Sequence, residues 1–337
     1  MRETKQSVTK KISLILSLSL LLVLISIIGM NVGKMSLNPL EVWQVIKGQG
    51  APQQELIVYE FRLPRILLAL LVGVGMGVSG SIMQSLLRND MASPGTLGIS
   101  SGSGLFVLLY IAIYSPSGIS SPLALPILAF IGGLIAALLI FFLAYRPGRQ
   151  VSPTGLILTG VAVGSGYSAL TTLVSLKLDQ RQMDFMQKWQ AGNLWGDEWV
   201  FIKILAPWVI ILFLYSLYKS PVLNTLNLGE ETATGLGVRV KAEFIGLALT
   251  AVALSSASVA LGGNFFFVGM IAPHMARKLV GPNHQYYLPV AALTGAIIIL
   301  LADTITRTIS FGTDMPTGIV ITVLSTPYFL YLLAKAD

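Results

Sequence analysis

The 337-residue sequence contains no cysteine, only two histidines and few charged residues. The absence of cysteine excludes disulfide bonds and thiolate metal sites, and two histidines alone make a poor metal cluster. Charged residues are 11% of the chain, whereas soluble domains contain about 25%. Hydrophobic residues make up 54% of the sequence and the mean hydropathy is +0.77. This composition is typical of an integral membrane protein.

Ten apolar runs fill almost the whole chain, and each approaches the roughly 20 residues that a helix needs to cross a bilayer. The runs do not alternate polar with apolar residues, so we expect helices rather than the strands of a barrel. The predicted spans are Ile12–Val32, Pro64–Leu87, Leu97–Tyr114, Leu123–Tyr145, Thr154–Leu176, Val200–Tyr218, Ala242–Gly262, Phe265–Val280, Leu288–Ile309 and Thr317–Leu333. The sequence therefore predicts an all-α bundle that forms a single membrane domain over residues 1–337.

Membrane topology explains the excess of basic residues. A net charge of +7 would also be typical of a nucleic-acid-binding protein, so the distribution of the charges has to decide. With ten spans and the N-terminus inside, 13 of the 22 Lys and Arg residues lie on the cytoplasmic side and nine lie outside. This bias follows the positive-inside rule. We therefore expect both termini in the cytoplasm and no nucleic-acid partner.

Ionisable residues are scarce within the predicted spans. Asp303 is the clearest case, and Arg307 follows one helical turn later, so that an ion pair can form near the outer end of their helix. A proton- or sodium-coupled carrier would need more buried carboxylates or broken-helix ion sites. Gly33 and Lys34 resemble only a fragment of a phosphate-binding loop. The energy for any pumping is therefore expected to come from another chain.

A serine protease within the membrane is the enzymatic alternative. Ser100 offers a hydroxyl between glycines, and His274 offers a base. The topology places both residues near the cytoplasmic side, on helices whose contact the sequence does not show.

The joint between the first two spans has the signals of a short helix. Asn38 is a good cap residue, Pro39 suits the first helical position, Glu41 places an acid in the first turn, and Gly48 ends the segment. We predict an amphipathic helix lying on the outer surface.

Two further joints are longer than turns. The outer joint, Lys177–Trp199, mixes charges with three tryptophans in the manner of an interfacial aromatic belt. These tryptophans are Trp189, Trp195 and Trp199. The other long joint, Lys219–Lys241, is expected on the cytoplasmic side.

Small residues recur at a spacing of four in several spans. The sets are Gly73, Gly77 and Ser81; Gly98 and Gly102; and Gly160, Gly164 and Ser168. Such faces let helix backbones approach closely in a membrane. Helix contact is the favoured interpretation, and lining of a pathway is the alternative.

Four stretches, in this order and at these separations, resemble the membrane subunits of type II ABC importers, the FecCD/BtuC-like permeases for iron-siderophores, haem and vitamin B12. The stretches are Arg62-Leu63-Pro64-Arg65; Ser79-Gly80 with Gln84, Arg88-Asn89, Pro94 and Leu97-Gly98; Phe267 to Arg277; and Asp303 with Arg307, followed by Met315 to Val320. One departure is Asp90, where the family usually has proline.

The resemblance implies a fold of ten helices with both ends inside and two permease subunits around a central pathway. It also implies two cytoplasmic ATPase subunits and an extracytoplasmic binding protein that delivers the substrate. This chain would then bind no cofactor, since ATP and Mg²⁺ would be held by the partner ATPases.

Three groups of residues acquire roles from the resemblance. Arg62, Arg65 and Arg307 match outward basic positions that in relatives dock acidic residues of the binding protein, and arginine suits such contacts with carboxylates. Interfacial snorkelling is the alternative for these arginines and, for Arg307, so is its pair with Asp303.

The segment at about 227–241 resembles the family's coupling element, a short helical turn held in a cleft of the ATPase. The matching residues are Gly229, Glu230, Glu231, Thr232, Ala233, Gly235, Leu236 and Gly237. The glycines indicate a compact element with sharp ends, and a solvated loop is the alternative. Thr154, which follows Ser152 and Pro153, matches the cytoplasmic gate of relatives, although the proline departs from some of them.

The sequence thus predicts a permease subunit of a binding-protein-dependent ABC importer in the plasma (inner) membrane of a bacterium. Ferric siderophore is the favoured cargo because most of the family carries it. A cobalamin or haem permease is the alternative within the family, and a stand-alone ion-coupled carrier is the alternative from another class. No bond chemistry is expected of this chain.

Overall fold

The structure is a computed structural model, and it describes residues 5–33, 35, 37–114, 124–144, 153–195, 198–308 and 315–334. All regular structure in these ranges is helical. In chain order the helices are α1 (Lys5–Asn31), α2 (Pro39–Ile46), α3 (Pro52–Leu56), a π-helical segment (Ile57–Arg62), α4 (Leu63–Leu87), α5 (Ile99–Tyr114), α6 (Ala124–Ala144), α7 (Pro153–Ser175), α8 (Gln180–Gln190), α9 (Trp199–Tyr218), α10 (Ser220–Leu226), α11 (Glu230–Gly235), α12 (Val240–Gly262), α13 (Phe266–Val280), α14 (His284–Thr308) and α15 (Thr317–Ala334).

Each of the ten predicted spans corresponds to one of these helices, and the predicted all-α membrane fold is confirmed. Among the described residues, seven helices are long and apolar enough to cross a membrane, and Ile99–Ile113 and Thr317–Tyr331 are shorter apolar helices. The remaining one, α13, has 15 residues, which extend about 22 Å at 1.5 Å per residue. It packs between α4 and α14, so that protein rather than lipid covers most of its length.

Helix α4 is the centre of the bundle and packs against α12, α13 and α14. A Cβ atom on Gly73 would lie 2.5 Å from the Cα of Ala296 and 2.6 Å from the carbonyl oxygen of Gly295. Gly77 makes a similar approach to Ala291 on the same helix. The predicted helix contact is therefore confirmed for this face, because α4 and α14 meet backbone to backbone.

The small residues of α5 and α7 serve the same purpose. Gly98, at the start of α5, lies against Gly160 and Gly164 of α7, while Gly102 lies against Gly132 of α6. Helices α5, α6 and α7 therefore form a second closely packed group, which contacts the central helices mainly through α12. 

The predicted helix of the first joint is confirmed as α2. The backbone N–H of Asn38 donates to Oε2 of Glu41 at 2.6 Å, which satisfies one of the free donors at the helix start. Val42 and Val45 are buried, and Leu40 and Trp43 are exposed on the opposite face.

The prediction of an interfacial aromatic belt is wrong for Trp189, which is 3% exposed. Its ring lies beside Gly104 of α5, where a Cβ atom would be 3.1 Å from the ring. The indole N–H of Trp195 donates to the carbonyl of Ala260 at 2.9 Å, and that of Trp199 donates to the carbonyl of Tyr59 at 2.9 Å. The tryptophans of this joint hold α8 and α9 onto the bundle, because their large rings bury much apolar area.

Candidate functional site

The three predicted docking arginines lie together at one end of the bundle, which we call the outer end. Arg62, Arg65 and Arg307 line a depression of about 420 Å³, together with residues of the α1–α2 loop and of the loops that follow α8 and precede α15. The other side chains that line the depression include Met35, Phe61, Asn193 and Met315. Three cations around one depression can attract acidic groups of a partner.

Two of these arginines hold the buried carboxylate of Asp303, whose side chain is 0% exposed. Nε and Nη2 of Arg65 each lie 3.0 Å from Oδ1 of Asp303. Nε of Arg307 lies 2.9 Å from Oδ2, as the spacing of four residues predicted. The hydroxyl of Thr317 in α15 lies 3.4 Å from Oδ1. The carboxylate therefore joins α4, α14 and α15 at the outer end.

Arg62 has a different environment from the other two arginines. It is 5% exposed, and its guanidinium donates to the carbonyls of Met30 and Met35. Met30 is in the last turn of α1, where carbonyls lack helical partners and a cation is favourable. Arg62 thus holds the end of α1 and the following loop against α4, as well as lining the depression.

A π-helical turn before α4 sets the directions of these arginines. The backbone N–H of Leu63 donates to the carbonyl of Val58, five residues earlier. Pro64 has no N–H and its ring crowds the preceding turn, so the helix widens there. Arg62 consequently faces α1, whereas Arg65 faces α14.

The predicted coupling segment lies at the opposite end of the bundle, which we call the inner end. It forms α11, a short helix between Gly229 and Gly237, whose φ angles are +113° and +83°. The N–H of Val238 donates to the carbonyl of Ala233 at 3.0 Å, and the N–H of Gly237 donates to that of Thr234 at 2.9 Å. This is a Schellman ending, which stops a helix sharply. The segment is therefore a compact element rather than a loose loop.

Most of α11 is uncovered. Ala233 is buried and anchors the helix, while Glu231, Thr232 and Gly235 are exposed. Leu228 and Leu236, on either side of the helix, are each 65% exposed. Exposed leucines beside a carboxylate are suited to a cleft in another protein.

An ion pair fixes the start of this inner segment. Nζ of Lys219 lies 2.7 Å from Oε1 of Glu243 in α12. The hydrogen bond with this carboxylate raises the pKa of the Lys219 ammonium group. The turn between α9 and α10 is thereby attached to α12.

Helix α7 exposes a more polar face than several other membrane helices do. Helices α1, α6 and α9 expose apolar side chains such as Leu16, Leu20, Leu24, Leu138, Phe142, Ile204 and Ile211, as expected for contact with lipid. One exposed row of α7 contains Thr154, Leu158, Val161, Ser165, Ser168 and Thr172, and the adjoining exposed surface contains Ala162, Gly166, Ala169, Leu170 and Leu173. Four of the six residues in the row carry hydroxyls, which is unusual for a purely lipid-facing surface.

The predicted gate residue is the first residue of this row. Thr154 is exposed at the inner end of α7, and Ser152 lies outside the described residues. The gating role of Thr154 stays a prediction. The protease alternative gains no support, since neither the hydroxyl of Ser100 nor Nε2 of His274 has a hydrogen-bond partner within the described ranges.

Comparison with known proteins assigns the chain to a family. The model of the FecCD transport family matches residues 20–335. The chain belongs to the FecCD family. Among FecCD relatives, the iron(3+)-hydroxamate import system permease protein FhuG of Bacillus subtilis (strain 168) is 45% identical over 94% of this chain and 95% of that protein. The Fe(3+)-citrate import system permease protein YfmE of the same strain is 38% identical over 99% and 98% of the two chains.

A solved structure agrees with the FecCD assignment. It is described as an inward-facing conformation of an ABC transporter of the metal-chelate type, with a TM-score of 0.83 and 29% identity, and the match covers 96% of this chain and 99% of that chain. This FecCD chain is therefore a permease subunit of a metal-chelate type ABC importer and not an enzyme. The ATPase activity of such importers lies in separate subunits, and a binding protein is a further component of the system.

The geometry adds contacts of these arginines that sequence reasoning missed in this FecCD chain. Arg65 was assigned to docking only, yet it contacts Asp303 in a helix more than 200 residues away along the chain. No local spacing signals such a pair. The carbonyl partners of Arg62 also leave no trace in the sequence, because every residue has a carbonyl group.

Replacing Asp303 by asparagine is expected to lower the free energy of unfolding of the FecCD chain by about 3 kcal/mol, since one partner is removed from a buried ion cluster. The measurement is thermal unfolding in detergent, with Thr308→Ala as the control. Among the described residues, the hydroxyl of Thr308 bonds to the carbonyl of Thr304 in its own helix. An equal melting temperature for Asp303→Asn and Thr308→Ala would contradict the structural importance of the cluster.

Proposed function

We propose that this chain forms half of the pathway through which a ferric siderophore crosses the plasma membrane of a bacterium. It works with a second permease subunit, two cytoplasmic ATPase subunits that bind ATP and Mg²⁺, and an extracytoplasmic binding protein. The observation that carries this proposal is the separation of two surfaces on one bundle. A cluster of arginines lies at the outer end, and an exposed, glycine-bounded helix lies at the inner end.

The outer surface is suited to the binding protein. Arg65 and Arg307 are oriented by Asp303, so their side chains are held in position before a partner arrives. Preorganised arginines lose less conformational freedom on contact with carboxylates. We assign docking mainly to these two residues, while Arg62 supports the loop that borders the same depression.

The inner surface is suited to the ATPase. The segment from Gly229 to Gly237 projects two leucines and the carboxylate of Glu231 from a rigid turn. A rigid element can transmit a displacement, whereas a loose loop would absorb it. Movement of the ATPases on ATP binding would then reorient the helices as nearly rigid bodies.

The hydroxyl-bearing row of α7 is assigned to the pathway between two permease subunits. Hydroxyl side chains can contact a polar cargo weakly, which permits its release. Because the natural chain has no cysteine, single cysteines can be introduced without background labelling. In membranes containing the complete complex, Ser165→Cys and Thr172→Cys are expected to react with a hydrophilic maleimide, and Leu20→Cys on the apolar face of α1 is expected to stay unlabelled. Equal labelling of all three positions would contradict the assignment.

The cargo is proposed as a ferric hydroxamate complex, because the relative with 45% identity is named as an iron(3+)-hydroxamate permease. Deletion of this chain from the source bacterium is expected to abolish uptake of radioactive iron supplied as a ferric hydroxamate, and a plasmid copy is expected to restore it. Uptake of cobalamin and haem is the control. Loss of cobalamin or haem uptake with retained ferric hydroxamate uptake would instead indicate a cobalamin or haem permease of the same family.

A further inference from the structure

A buried chain of hydrogen bonds joins the inner helix α10 to the ends of α4 and α14. His284, the first residue of α14, is 0% exposed. Its backbone N–H donates to Oδ1 of Asn224 in α10 at 2.9 Å, and its Nδ1 lies 2.7 Å from the same oxygen. Its Nε2 lies 2.6 Å from the hydroxyl of Ser85 in the last turn of α4. Three helices therefore meet at one imidazole ring.

The partners of the ring define the direction of each bond. Oδ1 of Asn224 can only accept, so Nδ1 of His284 carries the proton and donates it. Nε2 then has a lone pair that accepts from the hydroxyl of Ser85 at 2.6 Å, and the carbonyl of Ser81 in the same helix is a second acceptor for that hydroxyl at 2.9 Å. Both ring nitrogens are thereby occupied, and the neutral ring has a fixed orientation.

Asn224 also adds to the cap that α14 takes from its own chain segment through Asn283. The first N–H groups of a helix lack helical partners, and here the first of them is bonded by a side chain of α10. The amide of Asn224 in turn donates to Oδ1 of Asn283 at 3.2 Å, and that same oxygen accepts from the N–H of Gln285 at 3.1 Å. The start of α14 is therefore built around α10.

A second contact joins α10 to α4. Nη2 of Arg88 donates to the carbonyl of Leu226, at the end of α10, at 3.1 Å. Arg88 ends α4 in a left-handed conformation with φ +47°, which is uncommon for a residue other than glycine. The uncommon backbone conformation of Arg88 thus occurs at a residue whose side chain contacts α10.

Hydrogen bonds next to Ser85 and His284 also join α4, α13 and α14 to one another. The hydroxyl of Tyr287 donates to Oε1 of Gln84 at 3.2 Å, and Nε2 of Gln84 donates to the carbonyl of Met270 at 3.0 Å. Gln84 is fully buried, as is Tyr287. A displacement that reaches the end of α4 is thus shared by the three central helices.

We infer that Asn224, His284 and Ser85 form the link that carries movement of α10 and α11 into α4 and α14. The inference rests on the proposed function, and it assigns positioning roles to three residues that belong to neither partner surface. A closely packed interior transmits a displacement, and directional hydrogen bonds among buried groups fix the positions of these helix ends relative to one another. Loss of the link should therefore separate ATP hydrolysis from transport.

The experiment uses the complete complex of this chain with its second permease subunit, the ATPase subunits and the binding protein in proteoliposomes. ATP hydrolysis and uptake of radioactive ferric hydroxamate are measured together for Asn224→Ala, which removes the oxygen that both donors of His284 share. The iron transported per ATP hydrolysed is expected to fall by about tenfold, with hydrolysis retained within about twofold. Ser85→Ala removes the bond to Nε2, together with the bond of the same hydroxyl to the carbonyl of Ser81 within α4. It is expected to lower the same ratio less, because both donors of His284 keep Oδ1 of Asn224.

Thr225→Ala is the matched control, because the hydroxyl of Thr225 bonds to the carbonyl of Pro221 within α10. Its transport per ATP is expected to equal that of the unaltered chain. An unchanged ratio in Asn224→Ala, or an equal loss of hydrolysis and uptake in an assembled complex, would overturn the inference. If Asn224→Ala fails to assemble, Ser85→Ala decides between the same outcomes. Uptake by the unaltered complex without ATP would instead refute the proposed function.

Discussion

Replacement of Gly73 by alanine is expected to lower the free energy of unfolding of this permease by about 3 kcal/mol, the upper range for overfilling a close contact. The added methyl group would lie 2.5 Å from the Cα of Ala296 and 2.6 Å from its nitrogen. These are backbone atoms, so no side-chain rotation relieves the overlap. Helices α4 and α14 would have to separate, although most of the central contacts depend on them.

Gly166→Ala is the matched control for this substitution. Gly166 is also within a membrane helix, but a Cβ atom there would meet nothing within 4 Å. Thermal unfolding and the fraction of monodisperse protein in detergent are measured for both variants. Equal behaviour of the two variants would show that the approach of α4 to α14 is looser than the structure indicates.

Exchange of Glu230 and Glu231 for lysine is expected to abolish uptake while the protein still inserts in the membrane. The double change reverses two charges at the start of α11, where acids also favour the helix. Like charges placed against a complementary partner surface oppose association strongly. Co-purification of the ATPase and uptake of ferric hydroxamate are measured, and both should be lost together.

Glu198→Lys controls for the effect of charge reversal alone. Glu198 is exposed next to α9 at the other end of the bundle, so it should leave ATPase binding intact. Normal uptake by the double variant of Glu230 and Glu231 would show that α11 is not part of the surface that contacts the ATPase. In that event the exposed leucines of the segment would also need another explanation.

The sequence predicted those parts of the structure that depend on local pattern. Ten apolar runs became helices, and the spacing of Asp303 and Arg307 predicted their ion pair. Glycines at the two ends of α11 predicted a compact turn. In each case the residues that interact lie within a few positions of one another, so helical periodicity or turn chemistry is sufficient.

The sequence could not predict contacts that depend on the arrangement of distant helices. Trp189 lies in a segment whose mixture of charges and tryptophans is typical of a membrane interface. Its ring nevertheless fills a space that Gly104 leaves open in α5. The contact between Arg65 and Asp303 and that between His284 and Asn224 each join separate helices. Such contacts follow from the crossing of helices, which hydropathy does not specify. The sequence therefore predicted which residues belong to the candidate site, whereas the hydrogen bonds and ion pairs between them came from the structure.

The central claim is that this chain provides a pathway and that a separate ATPase moves it. The most direct test compares uptake of ferric hydroxamate into proteoliposomes that contain this chain, its second permease subunit and its binding protein, with and without the ATPase. We expect ATP-dependent uptake that requires the ATPase and stops when the ATPase is inactivated. Accumulation by the chain alone under a proton or sodium gradient, or ATP hydrolysis by the purified chain alone, would contradict it.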